Sequence, residues 1–176
     1  MRACAAILTA LLATAPAVAA AQTAPERHQA HEHGAAQLQV SLDGRALHIA
    51  FEGPADNILG FEHAPKNDAQ KKTLARAEEQ LRQPTRLFAL PPAAECQAQP
   101  VRLETRLPAA GSGETHSEME VEWRWECAKP QALTHVDVGL FKAFPRLKQL
   151  RVQVVTAQGQ TAAVLKPGAA RLKFAS

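Results

Sequence analysis

The chain has 176 residues, with 20 Lys and Arg against 17 Asp and Glu and a formal charge of +3. That length is one domain with room for a real core, and the near balance of charge excludes nucleic-acid binding through bulk charge. Hydrophobic residues at 46% and charged residues at 21% exclude wholesale disorder.

Residues 1–21 (MRACAAILTALLATAPAVAAA) have the plan of a secretory signal peptide. Arg2 gives the positive end, residues 7–12 the apolar run, and Ala17-Val18-Ala19 or Ala19-Ala20-Ala21 the small-x-small cleavage site. The run is too short to span a bilayer, so no membrane insertion is expected after cleavage. Cys4 leaves with the signal. Cys96 and Cys127 remain, an even pair in an oxidising compartment, and a disulfide between them is expected; two thiolates holding a metal are the weaker alternative. Closing a loop of about 30 residues stabilises a fold by roughly 3–4 kcal/mol in the chain-entropy account.

Residues 22–34 (QTAPERHQAHEHG) read as a flexible, His-bearing leader. Next, AQLQVSL and RALHIAFE alternate apolar and polar residues on either side of Asp43-Gly44, which predicts a hairpin over 36–42 and 45–52. Residues 53–65 carry Gly, Pro and Asn and predict a loop with room for one helical turn. A helix follows, capped by Asn67 or Asp68, with Leu74, Ala77 and Leu81 at helical spacing until Pro84. Its charged face, from Lys71 to Arg82, reads as solvated. RLFAL at 86–90 is short and apolar, and strands are predicted at about 100–107 and 116–127.

The second of these strands is the clearest in the chain. It sets Met119, Val121, Trp123, Trp125 and Cys127 against Glu118, Glu120, Glu122, Arg124 and Glu126. The acidic side is expected to pair with Arg102 and Arg106, and the tryptophans to be core. Cys96 has the wrong parity for an unbroken strand, so a break or bulge is expected near Pro100. THVDVGL, KQLRVQVVT, QTAAVL and RLKF add further strands, with Gln158-Gly159 and Pro167-Gly168 as turns and a short helix or loop at LFKAFPRL. The count is seven to eight strands and one main helix: an α+β, mainly antiparallel, β-sandwich-like single domain over 35–176.

Seven His are the chain's candidate chemistry, and they cluster. His31 and His33 are two apart around Glu32, with His28 upstream. His63 is bracketed in Gly60-Phe61-Glu62-His63-Ala64-Pro65. His116 with Glu118, and His135 with Asp137, are further pairs two apart, and His48 faces outward from the second strand. Neutral imidazole suits zinc, copper and nickel, so copper and nickel stay open beside zinc. The plainer readings are a solvated tail at 28–33, a His63 that caps the following helix or bonds a backbone carbonyl, and rungs of a charged face at His116 and His135. G-x-S-x-G, C-x-x-C, the P-loop and H-E-x-x-H are all missing, and the chain is read as not an enzyme.

The runs HEHGAAQLQVSLDGRALHIAFEGPADNILGFEHAPKNDAQ, THSEMEVEWRWEC and HVDVGLFKAFPRLKQLRVQVVTAQGQTAAVL resemble the ZrgA-type family of periplasmic proteins. That resemblance covers about 31–174. It implies zinc binding in the periplasm of a Gram-negative bacterium and a supporting role to a high-affinity zinc importer, whose periplasmic component is the implied partner. His33 and His63 match family positions. His116 and Glu118 match the end of a His/Asp-rich loop that many members carry, here reduced to PAAGSGETHSE, which argues against storage of several ions. The leading metal ligands are therefore His31, His33 and His63, with His28, Glu62, His116 and Glu118 behind them. An envelope interaction or scaffold module without metal chemistry is the alternative, and the oligomeric state is open.

Overall fold

The computed structural model describes residues 32–109 and 117–174. The expected signal peptide, His28, His31 and His116 lie outside them.

The predicted hairpin is the first element of the described chain. β1 (Ala35–Asp43) and β2 (Ala46–Pro54) pair from Asp43↔Ala46 to Gln37↔Glu52 around the turn at Gly44. After β2 the chain makes the single helical turn α1 (Asp56–Leu59), then α2 (Asp68–Leu81), capped by Asn67, whose side chain accepts from the Gln70 amide at 2.9 Å. Pro84 opens α3 (Pro84–Leu87), which leads to β3 (Phe88–Ala89).

Two short segments run along the next strand. β4 (Cys96–Ala98) and β5 (Arg102–Arg106) both pair antiparallel with β6 (Glu118–Cys127). Between Ala98 and Arg102 the edge chain advances four residues while β6 moves three, from Trp125 to Glu122. The extra residue is a bulge, and it reverses side-chain parity. Cys96 can therefore stand directly opposite Cys127, to which it is disulfide-bonded, while Leu103 still faces inward opposite Val121.

The chain closes with β7 (His135–Val138), α4 (Leu140–Ala143), β8 (Gln149–Thr156), β9 (Gly159–Leu165) and β10 (Arg171–Lys173). The turn before β9 is Ala157-Gln158, with Gly159 already paired to Thr156, one residue earlier than the Gln158-Gly159 turn expected. Ten strands form among the described residues, because the two- and three-residue β3 and β4 join those legible from alternation.

Seven strands make one sheet in the order β4-β6-β2-β1-β8-β9, with β5 also on β6, and β10-β7-β3 make a second. All pairings are antiparallel except β1 with β8, which runs parallel from Ala35↔Gln149 to Leu42↔Thr156. The sheets meet through aromatic rings: Phe88 of β3 packs edge-on against Trp123 at 4.8 Å and Trp125 at 5.7 Å. α2 seals one side of the core, where the Trp123 indole N–H donates to the Leu81 carbonyl at 2.7 Å. The alternation of β6 is fully cashed in as burial, since Met119 and Trp123 are 0% exposed and Val121, Trp125 and Cys127 no more than 3%. The tryptophans are core, as their alternation with charged residues predicted.

Candidate metal centre

The sites of interest lie where β1 begins. His33 is two residues before the strand, and Gly34 between them has φ +84, a conformation that costs glycine little. Behind it sits Asn57 of α1, 1% exposed. Its Oδ1 accepts from the Gly34 amide at 2.6 Å, and its Nδ2 donates to the Ala35 carbonyl at 2.7 Å. Glu32 pairs with Arg151 of β8, and the Lys148 and Gln149 amides donate to the Gly34 carbonyl at 2.7 and 2.9 Å. The strand start is thus held from both neighbours.

The facing wall is the stretch 55–64, made of α1 and the segment after it. Gly60, at φ +82, caps the turn, its amide donating to the Asp56 carbonyl at 2.9 Å. Arg146 grips the same turn from the loop before β8: Nη2 reaches both Asp56 carboxylate oxygens at 2.8 Å, and Nε donates to the Asp56 carbonyl at 3.0 Å. Phe61, Glu62 and His63 follow, all half-buried. His33 Nε2 donates to Glu62 Oε1 at 3.1 Å. His63 Nδ1 donates to the Ala64 carbonyl at 2.9 Å. A carbonyl only accepts, so this bond fixes the tautomer and leaves the lone pair on Nε2. The Phe61 ring stacks on that imidazole with centroids 5.5 Å apart.

Both ends of the wall are fastened to the chain that flanks residues 110–116. The Ala64 amide donates to the Pro108 carbonyl at 3.0 Å, and the Ala55 amide to the Ser117 carbonyl at 3.2 Å. Residues 30–174 match the model of a family described as ZrgA family zinc uptake protein. The chain belongs to the ZrgA family. No curated protein matches it. As a ZrgA-family chain it has zinc uptake as its setting, and among its described residues no helix is long and apolar enough to cross a membrane.

The donor chemistry fits zinc in part. Two ligand atoms on one tetrahedral zinc, each about 2.0–2.1 Å from the ion, stand about 3.3 Å apart. His33 Nε2 and Glu62 Oε1, at 3.1 Å, already have nearly that spacing. To take zinc through Nε2, His33 would have to carry its proton on Nδ1, which frees the Nε2 lone pair and ends the hydrogen bond to Glu62. Among the described residues no group of three or more His, Cys, Asp or Glu gathers, so a full tetrahedral set is not formed by these residues alone.

The other candidates are placed differently. Glu118, at the start of β6, stands opposite Pro54 and Arg106, with Oε2 3.7 Å from Arg106 Nη1. It opens a row on the outer face where Glu52, Glu120 and Glu104 are cross-strand neighbours, and where Arg106 reaches Glu104 at 3.2 Å and Glu120 at 3.0 Å. These carboxylates, Glu104 first, raise the Arg106 pKa further, and the guanidinium among them offsets their mutual repulsion. Arg102, as expected, faces Glu122, at 4.0 Å. His48 Nε2 stands 3.7 Å from Glu122 Oε2. His135 meets Thr134 Oγ1 at 3.0 Å through Nδ1, and its neighbour Asp137 is taken by Arg171.

Sequence reasoning missed Asn57, Asp56 and Arg146. Asp-Asn within GPADNILG reads as turn chemistry, and nothing local marks the Asn as buried.

Proposed function

We propose that the protein is a periplasmic, non-enzymatic zinc-binding accessory of zinc uptake, which holds Zn²⁺ with imidazole and carboxylate and passes it to, or buffers it for, a periplasmic component of an importer. One observation carries this reading: a zinc-uptake-family chain brings His33 and Glu62 from two separate segments to about the spacing of two ligands on one ion. His33 and Glu62 side chains are 65% and 40% exposed, which suits an ion that must be collected and released.

His31 and His28 are proposed as further ligands because the leader enters the domain at this site. His116 is proposed on similar grounds, since Pro108 and Ser117, on either side of its loop, are bonded to the wall that bears Glu62 and His63. Glu118 stands last, given its ion pair with Arg106.

Calorimetry on the full exported chain tests the reading. A ligating imidazole must be deprotonated, so two of them make zinc affinity fall about a hundredfold between pH 7.5 and 5.5. Equal affinity at the two values refutes imidazole ligation. A His33→Ala, His63→Ala double variant that binds zinc like wild type refutes the assignment. Elemental analysis of untagged protein from its own periplasm separates zinc from copper or nickel, and recovery without metal favours the scaffold role.

A further inference from the structure

Two polar side chains are buried among the described residues, Asn57 and Ser117. A buried amide is retained at a cost unless it is fully bonded. Asn57 is bonded on both sides, and both bonds go to the two residues that follow His33. Its own helical turn continues through Gly60 directly to Glu62. One side chain therefore spans the two arms of the His33–Glu62 pair: one peptide unit from the clamp to His33 on the first arm, one capped turn from Asn57 to Glu62 on the second. Arg146, fixed on Asp56, keeps that turn from swinging when the arms are pulled.

We infer that Asn57 is a positioning residue of the zinc site, whose amide holds His33 and Glu62 at ligand spacing before the ion arrives. This inference rests on the zinc reading above. The physical role is preorganisation. Two exposed side chains on independent loops would have to be ordered by the metal itself, at a cost to affinity, whereas the clamp orders them in advance. Asn57 touches no metal and acts only through the backbone of Gly34 and Ala35.

The test uses Asn57→Ala in the full exported chain, with Asn57→Ser, which keeps a hydroxyl on the same Cβ, as the variant that decides if the alanine form does not fold. Zinc affinity by competition titration is expected to fall 10–100-fold, the usual effect of losing a group that orients a metal ligand. A second readout needs no metal. In the wild-type background, Glu62→Gln changes the partner of His33 and is expected to shift the His33 Nε2 nitrogen resonance. In the Asn57 variants that response is expected to vanish, because the two side chains no longer meet. A merely structural asparagine would lower the melting temperature and leave the His33 response in place.

Zinc affinity within twofold of wild type overturns the inference. So does weakened zinc binding with the His33 response to Glu62→Gln intact. Failure of the zinc reading itself looks different: His33→Ala then binds zinc as wild type does, while the metal-free resonance still reports whether Asn57 holds the pair together.

Discussion

Trp123→Phe tests the account of how α2 is joined to the sheet. Trp123 is fully buried, and its indole N–H is bonded at 2.7 Å to the carbonyl of Leu81, the last residue of α2. Phenylalanine keeps an aromatic ring for Phe88 to pack against but removes the donor. Leaving that carbonyl without its partner costs about 1–3 kcal/mol. The smaller ring leaves up to roughly 40 Å³ unfilled, worth about 1 kcal/mol if the cavity does not collapse. The sum is about 2–4 kcal/mol, or roughly 5–15 °C in Tm for a domain of this size. Urea denaturation with an unchanged m-value is the assay, because a shift in midpoint then reports stability alone. Trp125→Phe is the control. It is 3% exposed, packs on the same Phe88, and has no hydrogen bond from its indole among the described residues, so it loses only the cavity contribution. Equal losses in the two variants would refute the claim that the Trp123–Leu81 bond ties the helix down.

Further outcomes follow from the same structure. Gly53→Ala places a Cβ 2.7 Å from Ala36 Cβ, between adjacent strands, and is expected to destabilise by about 1–3 kcal/mol in the same urea assay. Cys96→Ser with Cys127→Ser is expected to lose roughly 3–4 kcal/mol, measured as a midpoint shift against the oxidised wild type. The Arg171 guanidinium, bonded to Asp137 at 2.7 Å, holds that carboxyl below its ordinary value. A depressed carboxyl pKa stabilises the fold above the unfolded value of about 3.9, and that contribution disappears as pH falls through the folded one. Asp137→Asn is therefore expected to show a flatter loss of stability below about pH 4, and an acid-unfolding curve identical to wild type would refute it.

How much was legible beforehand depended on how local each cause is. The strands β1, β2, β6 and β8 could be read because period-two alternation is written residue by residue, and each apolar face became a buried one. The bulge between β4 and β5 was also legible, from two facts that conflict in one dimension: the parity of Cys96 and the Pro at 100. Asn67 announced the start of α2 because a cap acts on amides two or three residues away.

The sequence alone also supplied the identities of His33, Glu62 and His63 and the chemistry they share. Only the tertiary structure decided that the first two meet. Their contact depends on the parallel pairing of β1 with β8, which joins distant parts of the chain and has no short-range signal. It depends equally on Arg146 reaching Asp56 across 90 positions, and on an asparagine whose burial is decided by the strand start that packs over it. A residue's type fixes what it can donate or accept, but the partner is chosen by the fold.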